Sequence, residues 1–535
     1  MTSKAEADFS ADYIVVGAGS AGAVVAARLA EQADVNVILI EAGGSGRTPL
    51  LMLTGAMSFI RDWSPYAWQY VTEPDPSRGG RADHWRRGRT LGGSSSINGM
   101  IWARGLPRDF DTWAALGASG WEWDSVRPYF MKAESAMGLP GPDRGQHGPV
   151  WVETFRSPHP LSRDLLDAFG AAGFPLVCDI NQARGAAAAI TQTNQRAGLR
   201  QSTETAYLRH PPRNLTILKH TRVQRLLIAN GRASGVEVRR DDGAVQRIMA
   251  RREVVLCAGA LESPSLLLRS GIGPAAQLRD LGITPVVDAP EVGRNLQDHP
   301  DLYVEYAVSQ PTYSDAGRWY RLPASGLEFL LRRTGPATSP GTHVFAYGSS
   351  SGRLDEPDLL YFTGPFGQIA DGAFTGRQPL YSITPSICRP HSRGKLWLAS
   401  GDPMTAPRIQ PNLLGDERDL ALIVNAIGLV DDIVNQPPFR NSLVGRVRPH
   451  DGLHRTDRAG LEAFARAAVA TCHHSCGTCR MGSDERAVVD PHLRVRGVAN
   501  LRVADASVFP QITSGNLNAP VIMVGERAAD LIRRG

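Results

Sequence analysis

The hydrophobic pattern at the start of the chain predicts a strand, a turn, a helix and a second strand. Residues 12–16 and residues 35–40 are short apolar runs, the first ending at a glycine and the second at an acidic residue, so both read as buried parallel strands. Small residues recur at helical spacing between residues 23 and 30, which allows close helix packing. This order predicts the first βαβ unit of a Rossmann-like α/β domain.

The turn after the first strand carries a glycine motif that is typical of dinucleotide binding. Gly17 makes the turn, Gly19 lets a pyrophosphate approach the backbone, and Gly22 lets the helix lie close to the strand. Glu41 follows Gly17 by 24 residues, where its carboxylate can accept hydrogen bonds from the hydroxyls of an adenosine ribose. FAD and NAD share this pattern, so these residues leave the choice of cofactor open.

Apolar patterning later in the chain predicts further elements. Residues 254–257 and 394–399 read as strands, and residues 416–434 read as an amphipathic helix. A helical run over residues 521–532 has Pro520 in its first turn, which makes Asn518 a candidate N-cap. The sequence leaves open whether Asn518 serves only as the N-cap or also has a role in a site.

Composition and charge exclude several classes of protein. The 535 residues are 42% apolar and 21% charged, which suits a globular chain and excludes disordered and fibrous classes. The net charge of +5 comes from scattered arginines, so we expect no nucleic-acid partner. Residues 1–12 lack the apolar segment of a signal peptide, and no uncharged apolar run reaches 18 residues. We therefore expect a cytoplasmic protein without a transmembrane segment, with weak contact to a membrane surface left open.

Three of the six cysteines cluster with two histidines at residues 472–479. Thiolates and imidazoles at this spacing can ligate zinc. Most of these side chains would have to converge, however, and Arg480 adds a fixed positive charge beside the cluster. We expect no metal site here, and the cysteines are too few and too uneven for a disulfide framework.

Two longer motifs resemble the signature patterns of the glucose-methanol-choline (GMC) oxidoreductases. One is the glycine- and serine-rich stretch at residues 88–98, and the other covers residues 259–273, after the predicted strand at residues 254–257. The resemblance continues through residues 292–299 and from residue 479 to residue 527. It covers most of the chain and is poorest at residues 305–385.

The resemblance implies FAD as the cofactor. The pyrophosphate would lie on the first glycine turn, the ribose on Glu41, the flavin ring against the second glycine stretch, and the adenine at the backbone of Val223. The residues expected to bind the cofactor are Gly17, Gly19, Ser20, Ala21, Gly22, Glu41, Arg89, Gly92, Gly93, Asn98, Gly99, Val223, Asp505, Ala506, Asn516 and Asn518. Some relatives attach FAD through a histidine in the second stretch, but residues 96–98 offer none, so we expect non-covalent FAD.

The same resemblance implies a catalytic pair of His474 and Asn518. Alcohol oxidation moves a hydride from carbon to flavin N5 while a proton leaves oxygen, which requires a base beside the hydroxyl. The family pattern presents His474 as that base and places Asn518 against the same oxygen. His473 stands where relatives often carry an aromatic or apolar residue. We expect it to fill the pocket wall, with a second proton-handling role as the alternative.

The implied activity is FAD-dependent oxidation of a primary alcohol to the aldehyde, by an oxidase or a dehydrogenase. Among family members the chain looks most like the bacterial group that includes choline dehydrogenases, hydroxymethylfurfural oxidase and polyethylene-glycol dehydrogenase. The electron acceptor would be oxygen, a quinone or a protein. A choline-type cation would need a carboxylate or an aromatic cage, for which Glu328 and Tyr361 are candidates. The alternative is a hydroxynitrile lyase, which shares the fold and FAD but catalyses no net redox reaction. The alcohol and the oligomeric state stay open.

The family pattern returns to the cofactor three times, which predicts a discontinuous division into two domains. Residues 8–155, 205–300 and 460–535 are expected to form the FAD-binding domain. Residues 156–204 and 301–459 are expected to form a substrate domain, built on an antiparallel sheet with flanking helices.

Overall fold

A parallel sheet and the helices that cover it form the first layer of the molecule. The computed structural model describes residues 9–55, 60, 63–316, 322–367 and 378–535. In spatial order, the five parallel strands are Leu215–Leu218, Val37–Ile40, Phe9–Val16, Val245–Leu256 and Leu501–Val503. The first part of Val245–Leu256 also pairs antiparallel with Arg232–Arg240, which pairs antiparallel with Thr221–Ala229.

Burial on both faces explains why this sheet could be read from the sequence. Ile14 and Val15 are fully buried, as expected for a parallel strand covered by helices on each side. The helix Gly22–Leu29 follows the first strand, and the last helix, Asn518–Arg533, packs against it. The close approach of the two helices needs Gly525, because a Cβ there would lie 2.9 Å from the Ala21 carbonyl oxygen. The predicted α/β class and its opening unit are confirmed.

An antiparallel sheet forms the second layer. Its strands are Ala187–Ile190, Pro300–Asp301, Val304–Val308, Val344–Gly348, Leu359–Gly364, Leu380–Ile387, Leu443–Arg448 and Ala470–Thr471. The helices Pro160–Ala171 and Glu417–Val434 pack on it through a shared apolar core. The predicted helix at residues 416–434 is confirmed, with Asp416 as its N-cap accepting a hydrogen bond from the Arg418 N–H at 3.0 Å.

Shorter elements complete the described chain. The remaining strands are Ala67–Val71, His84–Gly88, Glu134–Met137, Val150–Thr154, Gln192–Thr193, Gln195–Arg196, Leu199–Arg200, Ile272–Gly273, Val287–Asp288, Lys395–Trp397 and Arg408–Gln410. The remaining α-helices are Pro49–Met52, Pro107–Ala115, Trp123–Ala133, Thr203–Tyr207, Gly259–Arg269, Ala275–Asp280, Tyr313–Ala316, Leu322–Arg332 and Arg458–Ala468. Nowhere in the described ranges is a helix both long and apolar enough to cross a bilayer.

The chain leaves the first layer and enters the antiparallel sheet at the strand Pro300–Asp301. Asp301 pairs with Ser386 on one side and with Ala470 on the other. This pairing places His299 beside the segment that carries His474. The division into cofactor and substrate domains stays a prediction.

Candidate active site

The three glycines of the first turn have different surroundings. Gly17 has a φ of +95°, and a Cβ on it would lie 2.6 Å from the Cys257 carbonyl oxygen. A Cβ on Gly22 would lie 1.8 Å from the Gly17 carbonyl oxygen, so the helix could not approach the strand. A Cβ on Gly19 would meet only the Gly93 Cα at 3.9 Å and the Cys257 carbonyl oxygen at 4.0 Å, so the backbone beside the helix N-terminus is uncrowded here. These surroundings suit a turn, a close packing contact and a pyrophosphate cradle, respectively.

Glu41 lies at the end of the second strand, beside this turn. Its Oε2 accepts a hydrogen bond from the Ala18 N–H at 3.0 Å, and its Oε1 accepts one from the Gly43 N–H at 2.9 Å. Burial raises the pKa of Glu41 to about 7, and the two N–H donors oppose that rise. The Glu41 carbonyl accepts the N–H of Thr221, which brings the strand containing Val223 alongside.

The second glycine stretch packs directly on the first turn. Gly92 and Gly93 have φ values of +83° and +51°, and a Cβ on Gly93 would lie 2.6 Å from the Gly19 Cα. Asn98 follows this stretch, and its Oδ1 accepts a hydrogen bond from Nη1 of the buried Arg200 at 2.7 Å. The structure therefore brings both predicted glycine segments together, and the contact with Arg200 orients the side chain of Asn98.

Other predicted cofactor residues differ in what their side chains contact. The Arg89 guanidinium lies over the ring of Trp68, 4.9 Å from its centroid, and Gly99 is exposed. The Asp505 carboxylate accepts four hydrogen bonds from protein donors, namely the N–H groups of Gly259 and Ser507 and the hydroxyls of Ser263 and Ser507. Since its oxygens are engaged, a cofactor contact there would come from the backbone of Asp505 and Ala506.

His474 lies between two side chains that contact its two ring nitrogens. Its Nε2 is 3.1 Å from Nδ2 of Asn516, and its Nδ1 is 2.9 Å from Nδ1 of His299. The backbone N–H of His474 donates a hydrogen bond to Oδ1 of Asp298 at 2.8 Å, which fixes the backbone at this residue. Burial, the neighbouring imidazoles of His299 and His473, and Arg87 hold the pKa of His474 well below its ordinary value, so the ring is neutral at pH 7.

The structure pairs His474 with Asn516 rather than with Asn518. Asn518 is the first residue of the helix Asn518–Arg533, and its Oδ1 accepts a hydrogen bond from the Ser20 hydroxyl at 2.8 Å. The expectation that Asn518 caps the helix is wrong, because Leu517 is the N-cap and its side chain makes no capping bond. The side chain of Asn518 instead turns back to the first glycine turn, which leaves Asn516 on the preceding loop to face His474.

Unsatisfied polar atoms point to a polar ligand between these segments. Among the described residues, Nδ2 of Asn518 and Oδ1 of Asn516 are buried and have no hydrogen-bond partner. Together with the uncrowded backbone at Gly19, they fit a dinucleotide such as FAD, which would offer phosphate and ring oxygens and nitrogens. Among the same residues, no group of three or more His, Cys, Asp or Glu side chains could hold a metal ion.

His473 and the two candidate cation-binding residues occupy other surroundings. His473 has a φ of +61°, its side chain is exposed, and its N–H donates to the Thr471 hydroxyl at 2.8 Å. Tyr361 is buried in the antiparallel sheet against Phe169. Glu328 lies on the helix Leu322–Arg332, where it accepts a hydrogen bond from the Thr334 hydroxyl.

Sequence reasoning missed two groups that support the pair. His299 ends the motif at residues 292–299, which signalled the family but not a role for this side chain. Arg389 contacts Asp109 at 3.1 Å and also the Ser514 hydroxyl, while Asp109 accepts the Ser514 N–H at 2.7 Å. These bonds fix the loop that leads to Asn516, and they join residues so distant in the chain that no local pattern signals them.

Comparisons with known proteins show which family the chain resembles. Two family models match the chain, both described as GMC oxidoreductase, at residues 11–301 and 390–525. The oxygen-dependent choline dehydrogenase of Vibrio vulnificus is 38% identical over 97% of this chain and 94% of its own. That of Sinorhizobium fredii is 37% identical over 98% and 95%.

Two solved structures share the whole fold. Pyridoxine 4-oxidase from Mesorbium loti superposes with a TM-score of 0.88 at 31% identity, covering 98% of this chain and 99% of that one. Formate oxidase from Aspergillus oryzae superposes with a TM-score of 0.91 at 26% identity, covering 99% of each chain.

Proposed function

This chain belongs to the GMC oxidoreductase family, and from that premise we propose that it oxidises a primary alcohol to the aldehyde with His474 as the general base. It is an FAD-dependent oxidoreductase acting on CH–OH groups, as the family membership establishes. The observation that carries the proposal is the 3.1 Å contact between Nε2 of His474 and Nδ2 of Asn516. It places a basic nitrogen and an N–H donor where both can reach one hydroxyl oxygen.

His474 and Asn516 would make two different contacts with that oxygen. A neutral His474 accepts the hydroxyl proton at Nε2, and the Asn516 amide donates a hydrogen bond to the same oxygen. His299 contacts the ring of His474, and Asp109 and Arg389 fix the loop that leads to Asn516. Because both groups are fixed in this way, the alcohol is oriented before reaction. Asn516 thus takes the role that the sequence pattern assigned to Asn518.

Bound FAD supplies the acceptor for the hydride that leaves the alcohol carbon. In the proposal, Gly17, Gly19, Ser20, Ala21 and Gly22 hold its pyrophosphate, and Glu41 holds its ribose. The flavin ring would lie against Gly92, Gly93 and Asn98. Residues 96–98 contain no histidine for attachment, which supports non-covalent binding. The division into a cofactor domain (residues 8–155, 205–300 and 460–535) and a substrate domain (residues 156–204 and 301–459) is part of the same proposal.

We propose a choline-like cationic alcohol as the substrate class. The Vibrio and Sinorhizobium relatives named above are oxygen-dependent choline dehydrogenases, and a quaternary ammonium group needs a negative or aromatic partner. Asp301 supports this class, because it is buried and its Oδ1 has no hydrogen-bond partner among the described residues, although its side chain also contacts the Cys472 thiol and the Ser386 hydroxyl. The Cys472 sulfur lies 3.9 Å from Nε2 of His474, so this carboxylate is close to the base. Burial raises the pKa of Asp301 to about 7, and a bound cation would restore its charge.

The test is anaerobic bleaching of the bound flavin. The purified protein is mixed with choline, with its neutral isostere dimethylbutanol, and with benzylic and polyol alcohols, and air is admitted afterwards. We expect choline to bleach the yellow band faster than dimethylbutanol. Equal rates would contradict the cationic class, and no bleaching by any alcohol would contradict alcohol oxidation and favour the lyase alternative. Rapid recovery in air identifies oxygen as the acceptor, and recovery only with an added quinone identifies a dehydrogenase.

A further inference from the structure

His299 is a fully buried histidine that joins His474 to the antiparallel sheet. Its Nδ1 lies 2.9 Å from Nδ1 of His474, and its Nε2 lies 3.2 Å from the carbonyl oxygen of Cys388. The two imidazole rings are nearly perpendicular, at 87°, with their centroids 5.1 Å apart. Cys388 directly follows the strand Leu380–Ile387, which pairs with Pro300–Asp301, so the fold sets both ends of this contact.

The hydrogen-bonding capacity of each atom decides where the protons lie. A carbonyl oxygen only accepts, so Nε2 of His299 carries a hydrogen. A neutral imidazole has one N–H, which leaves Nδ1 of His299 as an acceptor. Nδ1 of His474 must then donate to it, and Nε2 of His474 keeps its lone pair. That lone pair faces the Asn516 amide, which has hydrogens to donate.

We propose that His299 is a positioning residue that holds His474 in its Nδ1-protonated tautomer and thereby directs the basic Nε2 toward the substrate oxygen. This role rests on the proposed function of His474 as the base. It resembles the role of a carboxylate behind a catalytic histidine, where loss of the correct tautomer lowers the rate by about 10⁴-fold. Here a neutral imidazole is the orienting group, and a backbone carbonyl fixes the proton of that imidazole.

The charges around the two rings keep His299 neutral. A protonated His299 would donate from both nitrogens and force the opposite tautomer on His474. Burial holds the pKa of His299 down to about 4, and the positive Arg389 acts in the same direction. The groups that face the two rings are Arg87, Asp298, Cys472, His473, Arg389, Asn516 and the carbonyls of Cys388 and Thr513. The Asp298 carboxylate accepts hydrogen bonds from the backbone N–H of His474 and from the Thr471 hydroxyl.

Two substitutions of His299 separate positioning from packing. His299→Gln keeps an amide oxygen that can accept from His474 and an N–H that can donate to Cys388, whereas His299→Leu keeps only volume. We expect flavin reduction by the best alcohol to slow by about 10²-fold or more in His299→Leu and to stay within about tenfold of wild type in His299→Gln. The matched control is His343→Leu, since His343 is equally buried and hydrogen-bonded, to Ser339 and the His159 N–H. It should lower thermal stability without a selective loss of rate.

NMR of protein labelled with ¹³C and ¹⁵N at histidine reads the tautomer directly, and the signal of His474 is assigned by its loss in His474→Ala. Wild type and His299→Gln should show His474 protonated at Nδ1, with or without FAD, while His299→Leu should show a mixture. An Nε2-protonated His474 in wild type, or a wild-type rate in a folded His299→Leu, would overturn the proposal. If wild type oxidised no alcohol, the proposed function would fail, yet the tautomer would still decide the role of His299. If His299→Leu did not fold, the wild-type and glutamine spectra would decide it.

Discussion

Asn516 and Asn518 lie two residues apart, yet their side chains contact different parts of the site. Asn516 contacts Nε2 of His474, and Asn518 accepts the Ser20 hydroxyl of the first glycine turn. Both fall in one short motif, so the sequence offered no means of choosing between them. The choice depends on where the helix begins, because a shift of two residues turns the side chain to another face.

Alanine at each position should therefore have a different effect. Asn516→Ala removes the proposed donor to the reacting oxygen and should lower the rate of flavin reduction by about 10²-fold, with FAD affinity unchanged. Asn518→Ala removes one hydrogen bond near the cofactor turn and should weaken FAD binding by about tenfold, with the reduction rate of the loaded enzyme nearly kept. FAD titration of the apoprotein and anaerobic stopped-flow measure the two quantities. The reverse assignment of the two losses would restore Asn518 as the catalytic residue.

Glu41 makes the apoprotein sensitive to pH. Its pKa in the folded chain is about 7, above the ordinary value of 4.5, so the folded state binds the proton more tightly than the unfolded state. The stability of the apoprotein should consequently fall as pH rises between about 4.5 and 7. Glu41→Gln should remove this part of the pH dependence while greatly weakening FAD binding. Thermal unfolding of both apoproteins at pH 5 and pH 8 tests this, and an identical change of Tm with pH would contradict it.

The glycine turn shows, at the scale of one element, which features a sequence can predict. The order of strand, turn and helix was predictable because the strand is buried on both faces and reads as one apolar run. The strand Val245–Leu256 was predicted only over residues 254–257, because its first part has an exposed face that carries Arg247 and Arg251. The strand at residues 394–399 shortens to Lys395–Trp397, and its partner Arg408–Gln410 could not be predicted, since pairing depends on tertiary contacts.

Two glycines of this turn should respond differently to alanine. Gly19→Ala adds a methyl group at ordinary van der Waals distance from its neighbours, so the fold should be kept while FAD affinity falls by about tenfold or more. Gly22→Ala places a Cβ 1.8 Å from the Gly17 carbonyl oxygen, so it should lower thermal stability even without FAD. Unfolding of the two apoproteins and FAD titration separate these effects. A destabilised Gly19→Ala apoprotein with normal FAD affinity would contradict the assigned role.

At the scale of the whole molecule, Glu526 joins four helices around the first layer. This buried carboxylate on the last helix contacts Arg28 at 2.8 Å, Lys132 at 3.0 Å and the Tyr207 hydroxyl at 2.8 Å. The same helix carries Asn518 at its start, so these contacts also fix one end of the site. Distant contacts of this kind, like those of His299 and Arg389, follow from the completed fold and have no local sequence pattern.

Neutralising Glu526 should destabilise the molecule. Glu526→Gln keeps the shape but leaves Arg28 and Lys132 without their shared anion. Because both cations are partly exposed, we expect a loss of about 2 kcal/mol, below the range for a fully buried pair. Glu417→Gln is the control, since its ion pair with Arg466 is exposed and should contribute little. Equal Tm values for the two variants would show that the buried cluster adds nothing to stability.

In the proposed reaction, His474 removes the hydroxyl proton as the alcohol is oxidised. The most direct measurement is the anaerobic rate of flavin bleaching by the best alcohol, compared between wild type and His474→Ala with FAD fully bound. We predict a yellow His474→Ala enzyme that is reduced about 10² to 10⁴ times more slowly. A folded, FAD-loaded His474→Ala that is bleached at the wild-type rate would contradict it.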